Sequence, residues 1–200
     1  MIQTTQQQII RDGKCKQIDR LVSEAIEIFQ TFPDEITSKI PTLYFSYKPR
    51  SNRLGAYYLE SHQLEINMAQ FIKVDANFKQ ILNREEMISV MAHELGHARY
   101  YLIWSEEKRA AWRIAVQRTS PITEYTRRVR NNAASKKAKT LKKYPHMRDC
   151  QDQIPSLVRA AGRFASEQWA EWCAIQSGAK MANTVFWPAV GKLTPIAERF

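Results

Sequence analysis

Polar and apolar positions in the first part of the chain predict one long helix. Residues 1–14 are mostly polar, and we expect them to be loosely held. From Lys16 to Phe32 the apolar residues then recur every three or four positions, which is the period of an amphipathic helix. Pro33 ends this pattern, since proline cannot continue a helix. We interpret the segment as a scaffold helix that packs on a sheet, followed by a short turn at 34–39.

Three short runs further along the chain have the composition of strands. They are rich in aromatic and branched apolar residues, and polar turn-forming residues separate them. They lie at Leu43–Tyr47, Gly55–Leu59 and Gln63–Asn67. Only three residues separate the last two runs, so we expect those strands to form a hairpin. Residues 68–82 then connect this small sheet to the next helix.

The second half of the chain has mainly helical periodicity. Asn83 precedes a pattern that is apolar over most of a helix circumference and extends from Arg84 to Trp104, which predicts a largely buried helix with Asn83 as its N-cap. Two further helical patterns lie at 106–118 and 156–176. No internal repeat is present, and 200 residues with a hydrophobic fraction of 44% suit one domain with a real core.

Composition also predicts the compartment. The N-terminus lacks the basic start and apolar run of a signal peptide, and no stretch has the apolar length of a membrane span. Cys15, Cys150 and Cys173 are scattered and form no C-x-x-C pair, so a structural zinc ribbon is not expected. An odd number of cysteines without a signal sequence favours a reducing environment. We therefore expect a cytoplasmic protein that does not associate with membranes.

The predicted buried helix carries the sequence HELGH, an instance of H-E-x-x-H. On a helix, His93 and His97 lie one turn apart and present two imidazoles to one point, and neutral imidazole is a preferred zinc ligand. Glu94 is then well placed to take a proton from a zinc-bound water as general base. A largely buried helix should not carry these three polar residues unless they are satisfied together. The sequence therefore predicts one Zn²⁺ per chain.

A catalytic zinc needs a third protein ligand. The extended pattern that places a glycine and a further histidine after HELGH is absent, because Tyr100 and Ile103 stand at those positions. The late helix offers Glu167 and Glu171, which share a face at i and i+4 among apolar and aromatic neighbours. We favour Glu167 as the ligand and Glu171 as a partner of a ligating histidine, with the reverse assignment left open.

This combination of HELGH with an acidic pair on a later helix resembles the gluzincin zinc metallopeptidases. The resemblance implies an α+β, zincin-like fold: a small mixed sheet packed on a buried active-site helix, with further C-terminal helices. The chain looks most like the subgroup that contains the anthrax lethal factor catalytic domain and peptidases of phages and mobile elements. In that subgroup a tyrosine before the ligand helix stabilises the oxyanion, which gives this role to Tyr125. That tyrosine normally lies close to the ligand, so the resemblance requires an insertion before Glu167.

A basic segment at 126–148 corresponds to this insertion. Its lysines and arginines are Arg127, Arg128, Arg130, Lys136, Lys137, Lys139, Lys142, Lys143 and Arg148. It holds no acidic residue, and the rest of the chain has 21 basic and 20 acidic residues, so the net charge of +10 is a local feature. Two partners fit this charge, nucleic acid or an acidic protein. A solvated loop without a partner is the other interpretation.

Two functions from different classes follow. The first is a zinc metallopeptidase whose peptide substrate pairs with an edge strand, which fold analogy identifies as Gln63–Asn67. The second is a nucleic-acid-associated protein that uses the basic segment, with protease activity secondary or absent. Peptide deformylases also use H-E-x-x-H, but their third ligand is an upstream cysteine. Cys15, the only upstream cysteine here, lies in the polar N-terminal segment, which argues against that activity.

Overall fold

A four-stranded mixed sheet forms one layer of the protein. The computed structural model describes residues 7–119, 157–177, 197, 198 and 200. The strands are β1 (Gln8–Arg11), β2 (Thr42–Ser46), β3 (Gly55–Tyr58) and β4 (Gln63–Asn67), in the order β1-β2-β4-β3. β1, β2 and β4 are parallel to one another, whereas β3 pairs antiparallel with β4 and forms one edge.

The strand order corrects the prediction of the substrate strand. β4 pairs with β2 on one side and with β3 on the other, so its backbone is not open to a substrate. The physical reason is that the second strand of the hairpin, β4, pairs with β2. The first strand, β3, is therefore left at the edge of the sheet. Within the described residues β3 is therefore the edge strand on this side. The prediction that a peptide pairs with Gln63–Asn67 was wrong.

The N-terminal segment also departs from the prediction. Residues 8–11, which were expected to be loosely held, form β1 and pair in register with β2. The backbone N–H of Gln8 donates to the carbonyl of Pro41 at 2.9 Å, which fixes the start of the strand. The apolar residues of β1, Ile9 and Ile10, are adjacent and both substantially exposed. The strand therefore lacks the alternation of apolar and polar residues by which a sequence indicates a strand.

Five α-helices complete the described structure. They are α1 (Asp19–Gln30), α2 (Asp34–Thr37), α3 (Arg84–Ala98), α4 (Glu106–Thr119) and α5 (Leu157–Gln176). A π-helical turn, Arg99–Ile103, continues α3, and a 3₁₀ turn at Cys15–Ile18 precedes α1. Asn83 precedes α3 as predicted, but its side chain donates to Glu86 and caps no backbone N–H. A small hairpin of Ile72–Val74 and Gln80–Leu82, which the sequence did not predict, lies between β4 and α3.

One face of the sheet forms the main core. Leu43, Phe45, Leu64 and Ile66 are paired across β2 and β4 and are fully buried on this face. They join a cluster with apolar side chains of α1, α2 and α3, whose members are Leu21, Val22, Ala25, Ile28, Phe29, Ile36, Met87, Met91, Leu95 and Ala98. Burial of each large side chain stabilises the fold by on the order of 1.5–3 kcal/mol, and together these contributions hold α3 against the sheet.

A second cluster is aromatic and fixes α4 and α5 beside α3. Trp104 packs against Trp169 with ring centroids 4.4 Å apart, and Trp112 contacts both rings edge-on. The indole N–H of Trp112 donates to the carbonyl of Ala165 at 2.8 Å. This bond ties α4 to the α5 turn that precedes Glu167.

The described residues confirm a mixed α plus β architecture with a small mixed sheet and several helices. None of the helices in the described ranges is long and apolar enough to cross a membrane. Tyr125 and the whole basic segment lie outside the described residues, as does residue 156, the first of the predicted helix at 156–176.

Candidate metal centre

Two histidines of α3 converge because they stand one helical turn apart. The Nε2 atoms of His93 and His97 lie 3.2 Å from each other, with the two rings nearly perpendicular. Both side chains are largely buried, and they lie close to α5. Two nitrogen donors therefore point to one position, as the motif predicts.

Glu167 of α5 brings a third donor to the same position. Its Oε2 atom lies 3.6 Å from Nε2 of His93 and 3.6 Å from Nε2 of His97. Zinc binds nitrogen and oxygen at about 2.0–2.2 Å, so two ligands of a tetrahedral ion lie about 3.3 Å apart. The three observed separations fit this value without rearrangement. Within the described residues this is the one group of three or more His, Cys, Asp or Glu side chains that could hold a metal ion.

Glycine at the fourth position of HELGH lets α5 approach. A Cβ atom on Gly96 would lie 2.8 Å from Cα of Ala170 and 3.2 Å from Cβ of Cys173. A contact of 2.8 Å to backbone is too short, so any side chain here would push α5 away. Gly96 therefore determines how near Glu167, one turn before Ala170, comes to the histidines.

Ser166 orients His97. Its Oγ atom lies 2.7 Å from Nδ1 of His97, and Ser166 is buried. In the tautomer with the proton on Nδ1, the Nδ1–H group donates a hydrogen bond to Ser166, and the lone pair of Nε2 points to the metal position. The sequence prediction gave a role of this kind to Glu171, whose side chain is outside the described set. Nothing in the sequence distinguished Ser166, because a serine beside a glutamate is common and only the fold brings it to His97.

The protonation state of His93 suits metal binding. Burial and the nearby His97 lower the pKa of His93 to about 4, against the opposing effect of Glu167. At neutral pH the imidazole of His93 is therefore uncharged, which is the form of histidine that binds a metal.

Glu94 is held between α3 and the edge strand. Its side chain is buried, and its Oε2 atom accepts the backbone N–H of Tyr57 at 2.7 Å. Burial raises the pKa of Glu94, against the opposing effects of His97 and of the Tyr57 bond. Gly55 makes this approach of β3 to α3 feasible, because a Cβ there would lie 2.9 Å from Val90 and 3.2 Å from Cγ of Glu94. The carboxylate therefore contacts the outer edge of the sheet.

An aromatic stack lies beside this carboxylate. The rings of Tyr57 and Tyr101 are nearly parallel, with centroids 6.4 Å apart. The hydroxyl of Tyr57 is 2.7 Å from Nδ1 of His62, which lies in the β3–β4 turn with a φ of 53°. The stack joins the turn of the hairpin to the π-helical turn after α3, and neither Tyr57 nor His62 was singled out from the sequence as a site residue.

Not all of the predicted site residues can be placed. His93, Glu94, His97 and Glu167 come together, whereas Tyr125 and the basic residues from Arg127 to Lys143 lie outside the described residues. Comparison with protein-family models, with curated proteins and with solved structures finds no match to this chain. The site is therefore interpreted from its own geometry.

Proposed function

We propose that this protein is a zinc-dependent peptidase with His93, His97 and Glu167 as the metal ligands. The observation that carries the proposal is the convergence of their three donor atoms at separations of 3.2–3.6 Å, with a buried carboxylate on the same helix. A zinc ion held there would polarise the substrate carbonyl and lower the pKa of a water molecule towards about 7.

Glu94 is the general base of the proposed reaction. Its carboxylate is buried on the helix that carries both histidines, and the Tyr57 N–H restrains its position. It takes a proton from the water that attacks the peptide carbonyl and delivers that proton to the leaving amine nitrogen. Tyr125 remains the residue proposed, by resemblance to gluzincins, to stabilise the oxyanion.

The edge strand β3 is the proposed docking site for the peptide. It is the strand that contacts Glu94, and within the described residues it pairs on one side alone. Glu94 occupies the Tyr57 N–H, so an extended peptide that passes Glu94 would pair with the remaining outward backbone groups of β3, and these hydrogen bonds would present its carbonyl groups to the site.

Substitution of Glu94 tests the proposal. We expect Glu94→Gln to retain bound zinc and thermal stability but to lose peptide hydrolysis, because an amide keeps the shape of the carboxylate and cannot accept the proton. Zinc content by elemental analysis, the melting temperature and cleavage of a peptide library would be measured in parallel. Glu85→Gln is the matched control, since Glu85 is exposed on the same helix. Normal hydrolysis by Glu94→Gln would exclude Glu94 as the base.

A further inference from the structure

A polar cluster covers the face of the sheet opposite α3, beside the start of β3. Glu65 is almost fully buried there and accepts hydrogen bonds from Ser46 Oγ at 2.6 Å and from Tyr58 OH at 2.5 Å. Lys48 forms an ion pair with the same carboxylate. Burial acts to raise the pKa of Glu65, but these contacts together outweigh it and lower the pKa, so Glu65 stays ionised and is neutralised by Lys48.

Arg53 adds a second, exposed positive charge to this cluster. Its guanidinium donates to Tyr58 OH at 3.2 Å, and within the described residues no acidic side chain forms a salt bridge with it. Together with Lys48 and Glu65 it lines a small open cavity of about 70 Å³, whose other walls are Ser51, Gly55 and Asn67. Two positive charges and one negative charge leave the cavity with a net charge of +1.

The cavity lies next to the candidate metal centre. Gly55 lines the cavity, and a Cβ atom on Gly55 would lie 3.2 Å from Cγ of Glu94, so the cavity and this carboxylate are close to the same residue of β3. Gly55 is two residues, or about 7 Å along the strand, from Tyr57, whose N–H holds the Glu94 carboxylate. A peptide paired with β3 would therefore pass both Glu94 and the cavity.

We propose that Arg53 binds a carboxylate group of the peptide substrate within two or three residues of the cleaved bond. This inference rests on the proposed peptidase function and assigns a substrate class to it. A guanidinium matches a carboxylate with two parallel hydrogen bonds. A cavity of about 70 Å³ has room for a carboxylate, since one water molecule needs about 10–15 Å³ by the same measure.

The carboxylate has two sources, an aspartate or glutamate side chain or the C-terminus of the peptide. A peptide series distinguishes them: one set moves a single aspartate along a neutral sequence with an amidated C-terminus, and the other carries no acidic side chain and ends in a free acid or an amide. Cleavage of both sets by the zinc-loaded protein gives kcat/KM for each peptide. Binding of the same peptides to zinc-loaded Glu94→Gln gives Kd without turnover.

We expect the best peptide with a carboxylate to exceed its neutral counterpart by about 10-fold or more in kcat/KM and in affinity. Arg53→Gln should remove that preference and leave values for the neutral peptide nearly unchanged. Arg50→Gln is the matched control, because Arg50 is exposed on the same loop and does not line the cavity. Arg53→Glu should shift the preference to a peptide with lysine at the same position.

The outcomes separate the two proposals. Hydrolysis without a carboxylate preference would overturn the role of Arg53 and leave the peptidase proposal standing. Selective binding of carboxylate peptides without hydrolysis would support Arg53 and overturn the peptidase proposal. If Arg53→Gln lowers the affinity for neutral and acidic peptides equally, Arg53 only supports Tyr58 and the inference is wrong.

Discussion

At the scale of single residues, Ser166 makes a prediction that the H-E-x-x-H motif does not. Removal of a group that orients a metal ligand typically lowers affinity about 10- to 100-fold. We expect Ser166→Ala to weaken zinc binding in this range, since His97 then loses the partner at Nδ1. Glu167→Ala should weaken it more, because this change removes one of the three proposed ligands. Competitive chelation measures both, with Ser166→Thr as the control that keeps the hydroxyl, and unchanged affinity in Ser166→Ala would show that His97 needs no such partner.

The sequence predicts residues of the site where their relation is local. His93, Glu94 and His97 are fixed by helical spacing, so a short motif is sufficient to find them. Glu167 was recognisable only as one of two carboxylates on a later helix. Ser166 and the Tyr57 N–H act through contacts between distant parts of the chain. The N–H is a backbone group that almost every residue has, so the sequence could not indicate it.

At the scale of elements, the packing of α3 on α5 controls the site. Alanine is favoured over glycine within a helix by about 1 kcal/mol, but a Cβ at Gly96 would contact the Ala170 backbone at 2.8 Å. We expect Gly96→Ala to destabilise the protein by about 1–3 kcal/mol and to reduce zinc affinity, because α5 moves outward with Glu167.

Chemical denaturation and zinc titration test this prediction. Gly13→Ala is the control, since a Cβ there meets no atom within 4 Å, and its stability should change by less than about 0.5 kcal/mol. Equal stability and metal affinity in Gly96→Ala and the parent protein would show that the contact between the helices relaxes without cost.

The order of elements was less predictable than their existence. Periodicity located α1, α3, α4 and three strands to within a few residues, because each buries one face on the core. It could not show that β4 lies inside the sheet and β3 at its edge, since both strands have similar compositions and their neighbours are chosen by long-range pairing. β1 escaped prediction because two exposed isoleucines give no burial pattern.

At the scale of the whole molecule, the uneven charge leads to a prediction about partners. The segment from 126 to 148 carries nine of the 30 basic residues and lies between Tyr125 and Glu167 in the chain. We expect it to recruit an acidic partner, nucleic acid or protein, with an affinity that falls as salt increases. Replacement of Lys136, Lys137, Lys139, Lys142 and Lys143 with serine should flatten the salt dependence.

Binding to DNA, RNA and acidic peptides across a salt series provides the measurement. Fluorescence anisotropy of the parent protein and of the serine variant would be compared, with the zinc content of both confirmed as equal. Absence of salt-dependent affinity for all three ligands at low ionic strength would show that the segment recruits no such partner. Charge alone could be read from the sequence, whereas the chemistry of the partner depends on surfaces that composition does not specify.

The close approach of α5 to Gly96 also means that helix packing helps to hold Glu167 beside the histidines. α5 is attached to the rest of the protein by close helix packing, by the aromatic cluster and by the Trp112 bond to Ala165. The candidate ligands could thus be divided between two polypeptides. One that ends after α4 would supply His93 and His97, and one that contains α5 would supply Glu167. Reassociation of such halves would be promoted by the metal, which would make the protein a metal-dependent split pair.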